Sequence, residues 1–261
     1  MIPLKTKDEI DVMFENGCVL SGILEGLKMM TRPDITTQEL DEYAEARIRE
    51  AGAVPAFKGY RGYKATLCCS LNSEVVHGIP SKNRKIKSGD IVSLDLGLKK
   101  NGLFSDMAVT IPVGVVSEQV TKFLELSEKA LMTGIMNATP GKRLGDVSSS
   151  IQRFAEKHGF SVVRDYVGHG IGRKLHEDPV IPNFGNPGTG PRLEVGMVLA
   201  IEPMVNMGGY QVKVLDDGWT VVTADGSLSA HFEHSVAITD SGPRVLTNCP
   251  IGFKKGDSFQ I

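Results

Sequence analysis

The chain has 261 residues, 41% of them hydrophobic and 23% charged, with a formal net charge of −2. That is an ordinary globular balance, long enough to bury a core, and it gives no electrostatic reason to expect nucleic acid or an anionic membrane as partner. No run of about 18 apolar residues reads as a membrane span, and the charged N-terminus, MIPLKTKDEIDVMFENG, lacks the apolar stretch of a signal peptide.

Thr6-Lys7-Asp8-Glu9 is a capping box, and Ile10, Met13, Phe14, Gly17, Leu20, Ile23, Leu24 and Leu27 then recur at helical spacing. After a loop with Pro33, Thr36-Thr37-Gln38-Glu39 opens a second helix that carries Leu40, Ala44 and Ile48 and ends near Gly52. Residues 90–111 read as strands around an Asn101-Gly102 hairpin turn. Ser117 to Ala138 reads as a third helix, broken by Pro140 and Gly141. A fourth follows with Val147, Ile151 and Ala155, ending at Gly159. Pro33, Leu40, Ala44, Ile48 and Gly52 map onto Pro140, Val147, Ile151, Ala155 and Gly159, 107 positions later, keeping the proline, the glycine and the apolar face. This spacing predicts one domain, 1–261, of two related halves, about 1–112 and 113–261. Stretch 183–191, rich in Gly and Pro, reads as a surface loop, and 196–239 as further strands. Helical runs followed by strand runs give an α+β fold, with helices on one face of a largely antiparallel sheet. Four cysteines, Cys18, Cys68, Cys69 and Cys249, form no CxxC and two are adjacent, so free thiols in a reducing compartment are expected.

Chemistry concentrates in a few places. With Asn101-Gly102 as the loop, Gly97 faces Asp106 and Asp95 faces Ala108, so the two aspartates become diagonal neighbours about 7–8 Å apart. Val92, Leu94, Leu96, Leu98, Met107, Val109 and Ile111 take the opposite face. Carboxylates at that range repel unless a positive object lies between them or one holds a proton. Glu202 closes an apolar strand just before Pro203, and Glu233 lies inside another; His169 stands in Gly168-His169-Gly170-Ile171-Gly172. Gly168 and Gly170 are expected to let the backbone approach an ion or substrate. Four carboxylates and one imidazole make a hard, oxygen-rich set suited to two divalent ions, the recurring device for hydrolysing peptide or phosphate bonds. His176-Glu177 is no HExxH motif, because Val180 stands where the second histidine belongs.

Taken together, Ser70-Leu71-Asn72-Ser73-Glu74-Val75-Val76-His77-Gly78-Ile79-Pro80, Asp95, Asp106, Gly168-His169-Gly170-Ile171-Gly172, His176-Glu177, Ile201-Glu202-Pro203 and Glu233-His234 resemble the type I methionine aminopeptidases. These belong to the pita-bread metallopeptidases, and the resemblance spans essentially the whole chain. It implies a pseudo-twofold pita-bread fold and a cytoplasmic hydrolase that removes initiator methionine from nascent chains with a small second residue. Two divalent ions (Co, Mn, Fe or Zn) would be held by Asp95, Asp106, His169, Glu202 and Glu233, with Asp106 and Glu233 bridging. His77, His176 and Glu202 would serve catalysis: His176 at the oxyanion, His77 on the leaving-group side, Glu202 as proton shuttle. Phe57, Tyr60, Tyr63, Cys68, Leu175 and Trp219 would line the substrate pocket with His77 and His176. Phe57, Leu175 and Arg61 depart from residues common in the family (Cys, Phe and His). The resemblance implies a monomer that meets the nascent N-terminus and, transiently, the ribosome. Alternatives are an X-Pro aminopeptidase or prolidase-like exopeptidase on the same fold, and a non-catalytic binding relative. The first is disfavoured because helix formation starts near residue 6, leaving no room for an extra N-terminal domain, and the second because every ligand position is intact.

Overall fold

The computed structural model describes residues 2–249. Among the described residues four α-helices form, the first two opening at the expected capping boxes: α1 (Lys7–Met30), α2 (Thr37–Glu50), α3 (Glu118–Asn137) and α4 (Leu144–Lys157). Thr6 and Thr36 each accept from the backbone three residues on, and Glu9 and Glu39 reach back to close both capping boxes.

The helices cover one face of a nine-stranded antiparallel sheet. Its strands in chain order are β1 (Val54–Pro55), β2 (Leu67–Leu71), β3 (Ile91–Lys100), β4 (Leu103–Pro112), β5 (Gly168–Gly170), β6 (Glu177–Ile181), β7 (Val198–Ile201), β8 (Glu233–Thr239) and β9 (Gly242–Val245). Their spatial order is β1-β3-β4-β8-β7-β5-β6, with β2 also on β3 and β9 on β8. The predicted strand region 196–239 is more broken than its sequence suggests, with short strands such as Met204–Asn206 and Ser229–His231 outside the main sheet.

The β3–β4 register follows the predicted hairpin, with Gly97 opposite Asp106 and Asp95 opposite Ala108. Asn101 and Gly102 both take positive φ, 52° and 81°, as the twist-matched two-residue turn requires. Leu20, Leu24, Leu27, Leu40 and Ile48 pack on Val92, Leu94, Leu96 and Leu98. Phe123, Leu131, Val147 and Ile151 pack on Leu199, Ile201, Val236 and Ile238. Each such side chain contributes about 1.5–3 kcal/mol by leaving water. The opposite sheet face is left for chemistry.

The two halves repeat in detail. α2 and α4 each have 14 residues and start at Thr37 and Leu144, 107 apart. The isolated bridge Thr36–Lys85 recurs as Arg143–Arg192, at the same offset on both sides. Ile86 N–H donates to Ile35 O, as Leu193 N–H does to Lys142 O. Gly89 and Gly196, again 107 apart, share φ values of 94° and 93°. This pseudo-twofold relation pairs Asp95 with Glu202.

The cysteines depart from expectation. Cys18 on α1 and Cys249 are joined in a disulfide, with Cα atoms 5.1 Å apart across 231 residues of sequence, while Cys68 and Cys69 are buried free thiols. Nothing local in the sequence brings positions 18 and 249 together; the chain path does.

Candidate metal centre

One row across the sheet carries Cys68 opposite Asp95, Asp95 opposite Ala108, and Ala108 opposite Glu233. Successive strands thus aim alternate side chains at one face, with Asp106 one step along β4. Ser235 fixes Asp106 to β8: its hydroxyl accepts from Asp106 N–H at 3.2 Å and donates to Asp106 O at 2.9 Å. From the other half, His169 pairs with Ala200 in β7, and Glu202 follows that strand directly.

Four of the five expected ligands fall in tight clusters, and the fifth, Asp95, lines the same cavity. Asp106, His169 and Glu233 bring ligand atoms within 4.8 Å of one another, and so do Glu202, His231 and Glu233. Glu202 stands between two imidazoles, its Oε1 3.4 Å from His169 Nε2 and its Oε2 3.4 Å from His231 Nε2. Burial raises every carboxyl: Asp95 to about 7 and Glu202 to about 8, with Asp106 and Glu233 well above the usual carboxylate range. Neighbouring acids push Asp106 and Glu233 up further. Burial holds His169 down, to about 3. Among the described residues no lysine or arginine pairs with any of these acids; Glu202 meets only the two histidines. Asp95 Oδ1, Glu233 Oε1 and His231 Nε2 are buried without a hydrogen-bond partner. Oxygen and imidazole donors that repel one another and lack partners fit divalent cations, which would satisfy both deficits.

Two more histidines stand beside this cluster. His77 takes φ 61°, a conformation that costs a non-glycine residue energy and is held where function needs it. Its ring meets Tyr166 at 5.7 Å and Trp219 at 6.1 Å edge-on. His176 stacks on Tyr60 at 5.1 Å and lies 4.1 Å from the His169 ring. Burial brings His77 down to about 4; His176, exposed on one side, is also brought to about 4, by partial desolvation and then the Arg61 charge, so both imidazoles are neutral at neutral pH.

Phe57, Tyr60, Tyr63, Cys68, Leu175 and Trp219 line a cavity of about 140 Å³ together with Arg61 and the four carboxylates. Tyr63 turns its hydroxyl to backbone, donating to Leu67 O at 3.0 Å and Gly78 O at 3.2 Å, so its ring faces the cavity as apolar surface. Phe57 packs over Gly97, where a Cβ would meet its ring at 2.8 Å.

All the expected site residues therefore gather at one cavity. Two readings change. Gly168 and Gly170 do give close approach, but to neighbouring strands: a Cβ would fall 2.4 Å from Ala200 O at Gly168 and 2.1 Å from Asp178 O at Gly170. His231 is the residue that sequence reasoning missed. Its signal was the spacing His231–Glu233, since residues two apart in extended chain share a face.

Residues 16–240 match the model of metallopeptidase family M24. A methionine aminopeptidase of Clostridium perfringens is 56% identical over 247 residues, covering 95% of this chain and 99% of that one. Methionine aminopeptidase 1 of Bacillus subtilis is 52% identical over 247 residues with the same coverage. The crystal structure of methionine aminopeptidase from Thermotoga maritima superposes with a TM-score of 0.93 at 47% identity, covering 95% of this chain and 99% of that one. With a cluster of side chains that could hold metal ions and likeness along nearly its whole length, this chain belongs to metallopeptidase family M24, among the methionine aminopeptidases.

Proposed function

We propose that this chain removes the N-terminal methionine from nascent polypeptides whose second residue is small, as one catalytic domain of two halves, about 1–112 and 113–261. The observation that carries this reading is one cavity lined both by apolar and aromatic side chains and by an imidazole and four carboxyl groups whose pKa values burial raises. Asp95, Asp106, His169, Glu202 and Glu233 would hold two divalent ions; Mn, Fe, Co and Zn all suit such donors. When bound, these ions supply Lewis acidity and lower the pKa of water.

The protein's own groups do the rest. Phe57, Tyr60, Tyr63, Cys68, Leu175 and Trp219 enclose an unbranched apolar side chain and exclude water from the scissile bond. Asp95 receives the free α-amine, which makes the enzyme an exopeptidase. His176, neutral, donates to the oxyanion as it forms. His77 donates to the peptide on the leaving-group side. Glu202, which would also stand beside the nucleophilic water, carries a proton to the departing amine. Initiator methionines arise at the ribosome, so we place the activity in the cytoplasm, with transient ribosome contact and a monomeric enzyme. No helix among the described residues is long and apolar enough to cross a membrane.

The test is hydrolysis of Met-Ala-Ser against Leu-Ala-Ser by the Mn²⁺- or Co²⁺-loaded protein. The expected result is preference for methionine, loss of activity with chelator, and at least about a 10²-fold loss of kcat in Asp95→Ala. Equal turnover of both peptides would overturn the specificity; turnover unaffected by chelator would overturn the metal centre.

A further inference from the structure

His231 is 1% exposed, yet its Nε2 has no hydrogen-bond partner. An unpaired buried polar atom costs about 1–3 kcal/mol, and the surroundings hold this one firmly in place. His231 N–H donates to Thr110 Oγ1 at 2.8 Å, and the same hydroxyl donates to His231 O at 2.8 Å. Ser93 Oγ lies 2.8 Å from Thr110 Oγ1 on the neighbouring strand. His231 also pairs with Met204 across the short strand Ser229–His231. These bonds fix the backbone that carries the ring, and the ring itself lies beside Glu202, Nε2 3.4 Å from Oε2, while His169 stands 3.4 Å from Oε1. One carboxylate thus has an imidazole at each oxygen.

We propose that His231 is a positioning residue: its Nε2–H donates to Glu202 Oε2, leaving Oε1, on the His169 side, free for the metal. This rests on the metal-centre reading above. The 3.4 Å separation is slightly beyond the ordinary N–H···O range of about 2.7–3.2 Å, a gap that a charge-assisted bond to an ionised carboxylate closes. A carboxylate held at one oxygen presents the other in a fixed direction, and such supporting groups are worth about 10–100-fold in metal affinity.

The experiment is calorimetric titration of the chelator-stripped full-length protein with Mn²⁺, for wild type, His231→Leu and His231→Gln. A thermal melt of each stripped protein confirms that it folds. We expect His231→Leu to bind Mn²⁺ about 10–100-fold more weakly, with kcat on Met-Ala-Ser falling and KM unchanged. Gln, whose side-chain N–H reaches the same place as imidazole Nε2, restores most of both. Wild-type Mn²⁺ affinity in His231→Leu overturns the proposal. So does a defect in Leu that Gln fails to rescue, because the nitrogen would then be a ligand itself. A wild-type chain that binds no Mn²⁺ overturns the metal-centre reading, and this one with it.

Discussion

Two glycines show how local space sets the cost of one methyl group. Gly168 lies against β7, where a Cβ would sit 2.4 Å from Ala200 O and 3.3 Å from Glu202 Cγ. Neither β5 nor the central strand β7 can yield without moving a ligand, His169 or Glu202. Gly168→Ala is therefore expected to cost about 1–3 kcal/mol, the range for overpacking, and to weaken Mn²⁺ binding. Denaturant unfolding and calorimetry would measure the two effects. Gly22 is the contrast: it is exposed on α1 with nothing within 4 Å of an added Cβ. There Gly22→Ala should stabilise by about 0.5–1 kcal/mol through helix propensity alone. If both variants behave alike, crowding against β7 is not what places His169.

The segment before α1 and the loop after β5 form a second linked pair. Lys5 N–H donates to Gly196 O at 2.7 Å, and Lys5 Nζ donates to Glu177 Oε2 at 2.5 Å and to Pro3 O at 3.3 Å. The other oxygen, Glu177 Oε1, accepts from Lys174 N–H at 2.9 Å. The carboxylate therefore closes the turn that presents Leu175 and His176. Both charged side chains are almost fully buried, 1% and 4% exposed, and burial lowers the pKa of Lys5. Lys5→Met leaves an uncompensated buried carboxylate, expected to cost about 3–5 kcal/mol. The displaced His176 loop should lower kcat on Met-Ala-Ser. Adding Glu177→Gln removes the stranded charge and should recover much of the stability, because a buried pair often matches neutral groups in net stability. Urea unfolding of the single and double variants decides this; a double variant no more stable than Lys5→Met would refute the buried-charge account.

What was legible in the sequence, and what was not, follows from how far each signal reaches. Asn101-Gly102 fixes a strand register by counting, so the Asp95–Asp106 pair was accessible, and threonine caps announced α1 and α2. Lys5 and Glu177, Cys18 and Cys249, and the crossing of β8 between β4 and β7 depend on the chain's path, which no local period encodes. His231 was legible only through its two-residue spacing to Glu233, a signal that gains meaning once Glu233 is placed on the cluster's face. The 107-residue repeat that pairs Asp95 with Glu202 brings both to one cavity, and the price is four acids in one buried place. In the metal-free protein their raised pKa values make a pH signature. Unfolded carboxyls release protons near pH 4, whereas Asp95 and Glu202 hold theirs until about 7 and about 8. Between those limits the folded state binds more protons than the unfolded, so stability declines as pH rises. The contribution is full below the unfolded values and is lost progressively toward the folded ones. Mn²⁺ requires the ionised carboxylates and displaces their protons, so its stabilisation grows over the same range. Melting with chelator should therefore show a midpoint that falls from about pH 5 to about pH 8, while the gap between Mn²⁺-loaded and stripped protein widens. A gap that stays constant across that range would mean that the four acids are not the groups the metal deprotonates.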